Sequence, residues 1–332
     1  MRSILPAAAT LVVGAALGAV LCAAPARAND CGVVKSDIDK AICSAPQAVA
    51  ADDAMVAAYN ALRARGTARE RHALLVSQRA WLKRRGYYCP DDKPDYAQCL
   101  GRDADRRRAF LAGLPESGPG AGSPLKPVIA AKSGRPGDWE IDVEVLRFVT
   151  PKTPGEKTFN AAVRKIIDDI PGDRKEIQRD RIYSHTRWLR LSWLSPKLIS
   201  ARIDGYAYTG GAHGDPFTQG LNIDMKSGRK LTFSDAFDKR AHDRLMDTCM
   251  AILLPEKARR GAGKIKDGEL QRLRENVDGV LSKLDNWNFT AGGATIVFGS
   301  SEIGAYAEGP YQCDLPFTRL KELAAGDFPL PE

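Results

Sequence analysis

The sequence predicts two domains: a small all-α helical bundle stapled by disulfides, followed by an α+β domain with a mainly antiparallel sheet. Its 332 residues exceed the roughly 150 of a typical single domain. Apolar residues recur at helical spacing in the first part and alternate with polar residues in the second. A Pro- and Gly-rich segment between them predicts a linker. The predicted boundaries are residues 29–114, the linker 115–137, and residues 138–332.

Residues 1–28 predict a secretory signal peptide. A basic start precedes the apolar run Ser3–Ala24, and Ala26-Arg27-Ala28 has the small residues of a cleavage site. We expect cleavage between Ala28 and Asn29 and a periplasmic or secreted protein. No later stretch reaches the ~20 apolar residues of a membrane span, so we expect no integral membrane anchor.

The sequence of the first domain predicts two long helices and a short third one. Pro46 opens an apolar-periodic run that Gly66 ends, and Thr67 caps a second run that Gly86 ends. The third helix is expected near residues 99–111. Two helices joined by so short a turn predict an antiparallel hairpin, which would bring the start of the first helix beside the end of the second.

Six cysteines remain after the signal peptide, an even number that suits an oxidising compartment. Four lie in the first domain and two in the second, which predicts two disulfides and one, respectively. The first four allow three pairings, of which the helical hairpin favours Cys43–Cys89 with Cys31–Cys99. No C-x-x-C is present, which disfavours dithiol redox chemistry and common zinc sites. The six residues are Cys31, Cys43, Cys89, Cys99, Cys249 and Cys313.

The second domain mixes strands and helices. Trp139, Ile141, Val143 and Val145 alternate with acidic residues, which predicts a half-buried strand. Further strands are predicted within 181–208 and at 295–298, a hairpin from 219–225 and 231–233, and helices over 155–169, 240–255 and 267–285.

The charge is uneven and argues against nucleic-acid binding. The chain has 49 basic and 41 acidic residues. Residues 29–114 carry 15 basic and 11 acidic side chains, whereas residues 138–332 carry 29 of each. The larger domain therefore has no positive excess for a phosphate backbone. A mildly basic first domain fits an anionic wall or membrane surface.

Known catalytic motifs are lacking, so we expect no enzyme, no cofactor and no metal site. There is no G-x-S-x-G and no H-E-x-x-H. Gly261-Ala262-Gly263-Lys264 lacks the first glycine and the hydroxyl residue of a phosphate loop. The adjacent pairs Asp52-Asp53 and Asp168-Asp169 predict solvated helix surface. The histidines have no ligand spacing: His72, His185, His213 and His242.

Two segments stand out as candidate partner contacts. Three glycines surround His213 within Tyr206–Asp215, which predicts either a tight structural loop or a contact loop. The tyrosines of Tyr306–Tyr311 predict either core packing or a contact surface. The candidate contacts are Tyr208, Gly210, Gly211, His213, Tyr306 and Tyr311.

A basic stretch, residues 78–85, lies in the second predicted helix. We interpret Trp81 as a core residue and the arginines as a solvated face. A wall-binding patch is the alternative interpretation of the arginines.

Residues 31–111 resemble the N-terminal domain of LprI-like lysozyme inhibitors. The matching features are Cys31, the segment 37–43 (DIDKAIC), Asp52, Tyr59, Gln78-x-x-Trp81-Leu82, Cys89 and Cys99. The resemblance covers most of the first domain and implies a lysozyme-binding protein.

Residues 138–325 resemble the extracellular domain shared by RsiV-type anti-sigma factors and the N-terminal part of some peptidoglycan deacetylases. The matching blocks are residues 209–214 (TGGAHG), 221–237 (LNIDMKSGRKLTFSDAF) and 302–310 (EIGAYAEGP). RsiV-type domains are lysozyme receptors. The catalytic histidines and aspartates of the deacetylases belong to a separate domain with no counterpart here.

Both resemblances imply a lysozyme-type muramidase as partner, so the first hypothesis is an exported binding protein that binds and inhibits such enzymes. The second is an envelope module that binds peptidoglycan through the basic residues of the first domain and linker. The third is an enzyme with an unrecognised site.

Overall fold

The computed structural model describes residues 31–34, 36–85, 89, 94–133, 139–170, 183–261 and 267–331. The predicted signal peptide lies outside these residues. As predicted, the described chain forms a helical N-terminal region with disulfides and then an α+β region with a mostly antiparallel sheet.

Four helices form the first region: α1 (Asp37–Cys43), α2 (Pro46–Arg65), α3 (Ala68–Arg84) and α4 (Tyr96–Ala112). Their ends follow the local signals in the sequence. Pro46 occupies the first turn of α2, and Gly66 follows its last residue. The Thr67 hydroxyl accepts from the Glu70 N–H while the Glu70 carboxylate accepts from the Thr67 N–H, a reciprocal cap that starts α3.

The two disulfides of this region differ from the favoured pairing. They join Cys31 to Cys43 and Cys89 to Cys99, each with a Cα–Cα distance of 5.7 Å. The prediction was wrong because it paired α2 with α3, whereas α2 packs along α4. A Cβ on Gly101 of α4 would lie only 3.2 Å from the Ala48 Cα of α2. Small residues thus let these two helices approach closely, and each disulfide closes a short local loop.

A five-stranded sheet follows, in the order β1-β2-β3-β4-β5. Strands β2 and β3 are parallel and the other neighbours are antiparallel. Helix α5 (Pro154–Asp168) provides the crossover between the parallel pair. The strands are β1 (Leu125–Ser133), β2 (Trp139–Phe148), β3 (Tyr183–Leu194), β4 (Leu198–Tyr208) and β5 (Asp215–Asp224).

Strand β1 corrects the linker prediction. It lies inside the predicted linker 115–137, yet it pairs with β2 from Leu125↔Phe148 to Ser133↔Glu140. Pro127 is accommodated because β1 is the edge strand of this sheet. The first region is therefore joined to the sheet by a paired strand, in place of a flexible tether.

The remaining elements form a second layer around a three-stranded antiparallel sheet. They are α6 (Phe233–Ala236), α7 (Lys239–Arg259), α8 (Asp267–Leu281), β6 (Trp287–Thr290), β7 (Gly293–Phe298), β8 (Tyr311–Pro316) and α9 (Phe317–Leu323). The third predicted disulfide, Cys249–Cys313, is confirmed and ties α7 to β8.

The hairpin predicted from 219–225 and 231–233 forms only next to its turn, where the Asp224 N–H donates to the Arg229 carbonyl at 3.0 Å and the Leu231 N–H donates to the Asn222 carbonyl at 2.8 Å. The chain turns after β5 and makes a single bridge, Ile223↔Lys230, before α6 begins. The Thr232 N–H donates to the Asp235 carboxylate at 2.7 Å, and Arg229 pairs with the same carboxylate. This cap starts a short helix where the sequence predicted a strand.

A buried polar layer joins the two sheets. The Ser192 hydroxyl donates to Asn288 at 2.7 Å, and the Ser200 hydroxyl donates to Asn222 at 2.7 Å. The Asn222 amide donates to the carbonyl of Trp287 at 3.0 Å. Because these polar groups satisfy one another, the layer fixes the register between the sheets without unpaired groups.

Gly220 lies at this junction, and its replacement should be costly. A Cβ there would lie 2.2 Å from the Trp287 carbonyl oxygen, so Gly220→Ala forces the sheets apart. We expect a loss of about 1–3 kcal/mol in the free energy of unfolding, measured by urea denaturation. Gly279→Ala, on α8 with open space around it, is the control and should stabilise by about 0.5–1 kcal/mol. Equal effects of the two substitutions would contradict the close approach.

Candidate functional site

The structure brings together the two segments predicted as contacts. Residues 209–214 connect β4 to β5, and Tyr306 begins a 3-10 turn (Tyr306–Glu308) far along the chain. The Tyr306 hydroxyl donates to the Gly214 carbonyl at 2.8 Å. The His213 and Tyr306 rings stack with centroids 4.0 Å apart and planes 21° apart. We call the surface formed by Tyr208, Gly210, Gly211, His213 and Tyr306 the aromatic loop surface.

The hydrogen bonds of the loop set the tautomer of His213. Its Nδ1 lies 3.0 Å from the Gly214 carbonyl oxygen, which can only accept. Nδ1 therefore carries the proton, and Nε2 of the neutral ring is an acceptor. His213 is exposed, so this acceptor is available to a partner.

Glycines give the loop its shape. Gly210 and Gly211 have φ values of 103° and 109°, which L side chains rarely adopt. The Tyr208 hydroxyl donates to the Gly211 carbonyl at 2.8 Å and closes the turn. A Cβ on Gly214 would lie 2.2 Å from the Tyr206 ring, so only glycine allows this approach.

A polar cluster beneath the turn holds Tyr306 in place. Lys257 of α7 donates to the Glu308 carboxylate at 2.9 Å and to the Ile303 carbonyl at 2.8 Å. The Tyr311 hydroxyl also donates to Glu308, and the Arg260 guanidinium lies 4.1 Å from the Tyr311 ring centroid.

The electrostatics of this cluster favour a charged Glu308. Hydrogen bonds from Tyr311, the Ala305 N–H and Lys257 lower the pKa of Glu308 to about 2. Burial, together with the bond to Glu308, raises the pKa of Tyr311 to about 12. Glu308 therefore stays ionised and Tyr311 stays protonated across the neutral range, which keeps the cluster intact.

The two tyrosines of Tyr306–Tyr311 have different positions. Tyr306 is 37% exposed, whereas Tyr311 is 1% exposed. Tyr311 was predicted as a contact, but its burial makes it a support for the turn. The interpretation as core packing therefore applies to Tyr311, and the interpretation as a contact surface is kept for Tyr306.

In the first region, several of the residues that carry the LprI-like resemblance lie in the core, although Leu82 is exposed. Trp81 is buried, as predicted, and Gln78 accepts from Arg107 at 3.0 Å. Asp52 was predicted to be solvated, but it is buried and lies 2.5 Å from Arg85. Arg85 was likewise predicted on a solvated face. Both predictions were wrong because the two charged side chains are buried together and pair with each other.

A second polar cluster joins the helices to β2, and the sequence did not predict it. Arg107 of α4 lies 2.6 Å from Glu144, and Arg84 of α3 lies 2.8 Å from Asp142. The Ser77 hydroxyl donates to Glu144 at 2.5 Å. We call these five residues the interdomain ion cluster. Asp142 and Glu144 alternate with apolar residues on β2, which indicates that the two acids share one face of the strand. The pattern does not reveal which elements cover that face.

Asp142 is the member with the most perturbed proton affinity. Burial, followed by the neighbouring Glu144 charge, raises the pKa of Asp142 to about 7, although Arg84 and Trp188 oppose the rise. Both bonds go to Oδ2, from Arg84 at 2.8 Å and from the Trp188 indole at 3.0 Å. Among the described residues, the buried Oδ1 has no hydrogen-bond partner.

One serine, histidine and aspartate cluster invites a catalytic interpretation. His242 Nε2 lies 2.6 Å from Asp278 and 3.3 Å from the Ser282 hydroxyl. In a nucleophilic triad, the acid and the serine contact opposite ring nitrogens. Here Asp243 lies 3.4 Å from the opposite nitrogen, Nδ1. The Nε2 that would have to take the serine proton is already engaged by Asp278 at the shorter distance, so the arrangement differs from a triad.

The structure described here also lacks two other kinds of site. No group of three or more His, Cys, Asp or Glu side chains among the described residues is arranged to hold a metal ion. No helix of the described part is both long and apolar enough to cross a bilayer.

Fold and surfaces together define a disulfide-stabilised chain in which a helical region packs on an α+β region that carries an exposed aromatic loop. Residues 31–113 match the family model described as "Lysozyme inhibitor LprI". Residues 251–318 match the model described as "Protein of unknown function (DUF3298)". The recognition of an LprI-like N-terminal region is thereby confirmed. No curated protein matches the chain.

The solved structures that resemble the chain include two from the DUF3298 family. One, from Bacteroides fragilis, is 15% identical with a TM-score of 0.45, and the match covers 62% of this chain and 95% of that one. The other, from Pseudomonas aeruginosa PAO1, is 14% identical with a TM-score of 0.40, and the match covers 64% and 98%.

Proposed function

We propose that this protein is an exported binding protein that binds and inhibits a lysozyme-type muramidase. The observation that carries the proposal is the match of residues 31–113 to the lysozyme inhibitor LprI family. Three disulfides support export, because such bonds persist in oxidising compartments. The predicted signal peptide has the same implication.

The aromatic loop surface is the proposed contact. Tyrosine and histidine at the tip of a loop offer rigid apolar area with polar tips, which suits a protein interface. The loop is held from below by Glu308, Lys257 and Tyr311, so little conformational freedom is lost on binding. The interdomain ion cluster is buried and cannot be a contact.

The proposed role is non-catalytic. Inhibition requires only that the loop and its surroundings block the wall substrate. No bond is made or broken by this chain, and no cofactor takes part.

The test is a titration of the oxidised protein, lacking residues 1–28, into c-type, g-type and i-type lysozymes. Calorimetry measures binding, and turbidity of cell walls measures lysis in the same buffer. We expect saturable binding with loss of lysis for at least one type. His213→Ala and Tyr306→Ala should each weaken binding about tenfold or more, as for residues at the centre of an interface.

Lys283→Ala is the control, because Lys283 is exposed on the second region and lies outside the aromatic loop surface. Its affinity should equal that of the unchanged protein. Absence of binding to all three enzymes at tens of micromolar would contradict the proposal. Binding to isolated peptidoglycan in that case would favour the envelope-module hypothesis.

A further inference from the structure

The outer face of α3 exposes two leucines. Leu75 is 38% exposed and Leu82 is 50% exposed. They are seven residues apart and therefore lie two turns apart on one side of the helix. Arg79 lies between them. The opposite side of α3 is occupied, since Leu74, Ser77 and Trp81 are buried.

The charges on this face are all positive. Arg79 and Lys83 are exposed and form no ion pair within the described part of the chain. His72 lies one turn before Leu75 and is also exposed. The sole acidic residue of α3, Glu70, caps the Thr67 N–H at 2.8 Å. We call His72, Leu75, Arg79, Leu82 and Lys83 the α3 outer face.

We propose that the α3 outer face binds the surface of an anionic phospholipid membrane. Unpaired cations attract anionic headgroups, and leucines between them enter the acyl boundary while the long basic side chains reach outward. The first domain as a whole carries the positive excess, with 15 basic and 11 acidic residues in 29–114. The α+β region carries 29 basic and 29 acidic residues, so it has no positive excess that would attract the anionic membrane.

The chemistry favours a lipid surface over the proposed muramidase partner. Lysozymes are often basic, and a basic face without a carboxylate repels a basic protein. The ordered contacts within the protein also hold α3 in place, because Arg84 at its end is bound to Asp142 at 2.8 Å. The helix is thus presented already folded, with its exposed side free to lie flat on a bilayer. This surface is separate from the aromatic loop surface in the second region.

The test is cosedimentation of the oxidised chain, lacking residues 1–28, with vesicles. One set is phosphatidylcholine and phosphatidylglycerol at 3:1, and the other is phosphatidylcholine alone. We expect binding to the anionic vesicles that weakens as salt rises, and little binding to the neutral ones. Arg79→Glu with Lys83→Glu should lower the partition coefficient about 25-fold or more, since each cation contributes about fivefold.

Matched variants separate lipid insertion from charge alone. Leu82→Ser should lower the partition coefficient about threefold or more, whereas Ile252→Ser, which removes an exposed apolar residue from α7, should not. Lys283→Glu with Lys321→Glu changes the net charge equally on exposed residues of the second region and should have a much smaller effect than the α3 pair.

Three results would overturn the proposal. The first is no binding to the anionic vesicles. The second is an equal loss in the two charge-reversal variants. The third is unchanged vesicle binding by Leu82→Ser together with loss of vesicle binding when soluble polyglutamate is added. That result would assign the face to an acidic macromolecule. The vesicle assay contains no muramidase, so its failure and that of the inhibitor proposal are distinguishable.

Discussion

Arg107→Met should lower the free energy of unfolding by about 3–5 kcal/mol, the largest effect expected of any single substitution on the surface between the two regions. The Arg107 and Glu144 side chains are 2% and 8% exposed and lie 2.6 Å apart. Without Arg107, Glu144 remains buried with its strongest partner gone. A buried charge that loses its partner costs far more than the net value of the pair.

The substitution should also change the form of the unfolding transition. In the intact chain we expect one urea transition, because α3 and α4 are bound to β2 through buried ion pairs. Arg107→Met should divide it into two, as the helical region separates from the sheet. Arg107→Met with Glu144→Leu should recover most of the loss, since no unpaired charge remains.

Arg108→Met is the control for this experiment. Arg108 is the next residue of α4, and its pair with Asp105 is exposed at 3.4 Å. Exposed pairs of this kind contribute at most about 1 kcal/mol. If Arg107→Met and Arg108→Met had similar effects and both kept a single transition, the interdomain ion cluster would not hold the two regions together.

Local signals in the sequence were sufficient for the long helices, whereas the short α1, α6 and α9 were not predicted. Thr67 and Thr153 each start a helix with a reciprocal cap, and both helices begin where the sequence predicts. The strand at Trp139–Phe148 was also predicted from alternation alone. These features depend on residues within a few positions of one another, which is why one sequence reveals them.

Features that depend on distant residues were harder to predict. The disulfide pairing depended on which helix packs on α2, and the close approach of Ala48 and Gly101 decides it. Strand β1 forms because β2 offers it a partner, and the prolines and glycines that predicted a linker over 115–137 lie mostly outside the strand. Asp142 and Glu144 were expected on a solvated side of β2 and are instead covered by α3 and α4.

The candidate site shows the same division. Each loop was recognised separately by its glycines and tyrosines, but the contact between Tyr306 and Gly214 spans 92 residues of sequence. The support from Lys257 could not be predicted, because a lone lysine in a helical pattern is usually solvated. The stacked pair of His213 and Tyr306 therefore emerges only from the fold.

Asp142→Asn should remove a large part of the pH dependence of stability between about pH 5 and 8. Because burial and Glu144 raise the pKa of Asp142 to about 7, the folded chain holds a proton that the unfolded chain has released above about pH 4. Where the folded state binds more protons, the free energy of unfolding falls as pH rises. One such proton gives a slope of at most about 1.4 kcal/mol per pH unit, ending above the folded pKa.

The comparison between wild type and Asp142→Asn isolates this group. Burial and the Arg187 charge lower the pKa of His185, which makes stability rise with pH below about 6.5 and opposes the Asp142 effect. Burial also raises the pKa of Asp103, which acts in the same direction as Asp142. Both contributions are present in wild type and variant, so they cancel in the difference between the two.

Asparagine imitates the protonated acid, since its carbonyl can accept from Arg84 and Trp188 as Oδ2 does. Urea unfolding of both proteins at pH 5, 6, 7 and 8 provides the measurement. We expect the variant to gain stability relative to wild type as pH rises to about 7, with the difference constant above the folded pKa. A difference that does not vary from pH 5 to 8 would show that Asp142 is ionised throughout, with Arg84 outweighing both burial and Glu144.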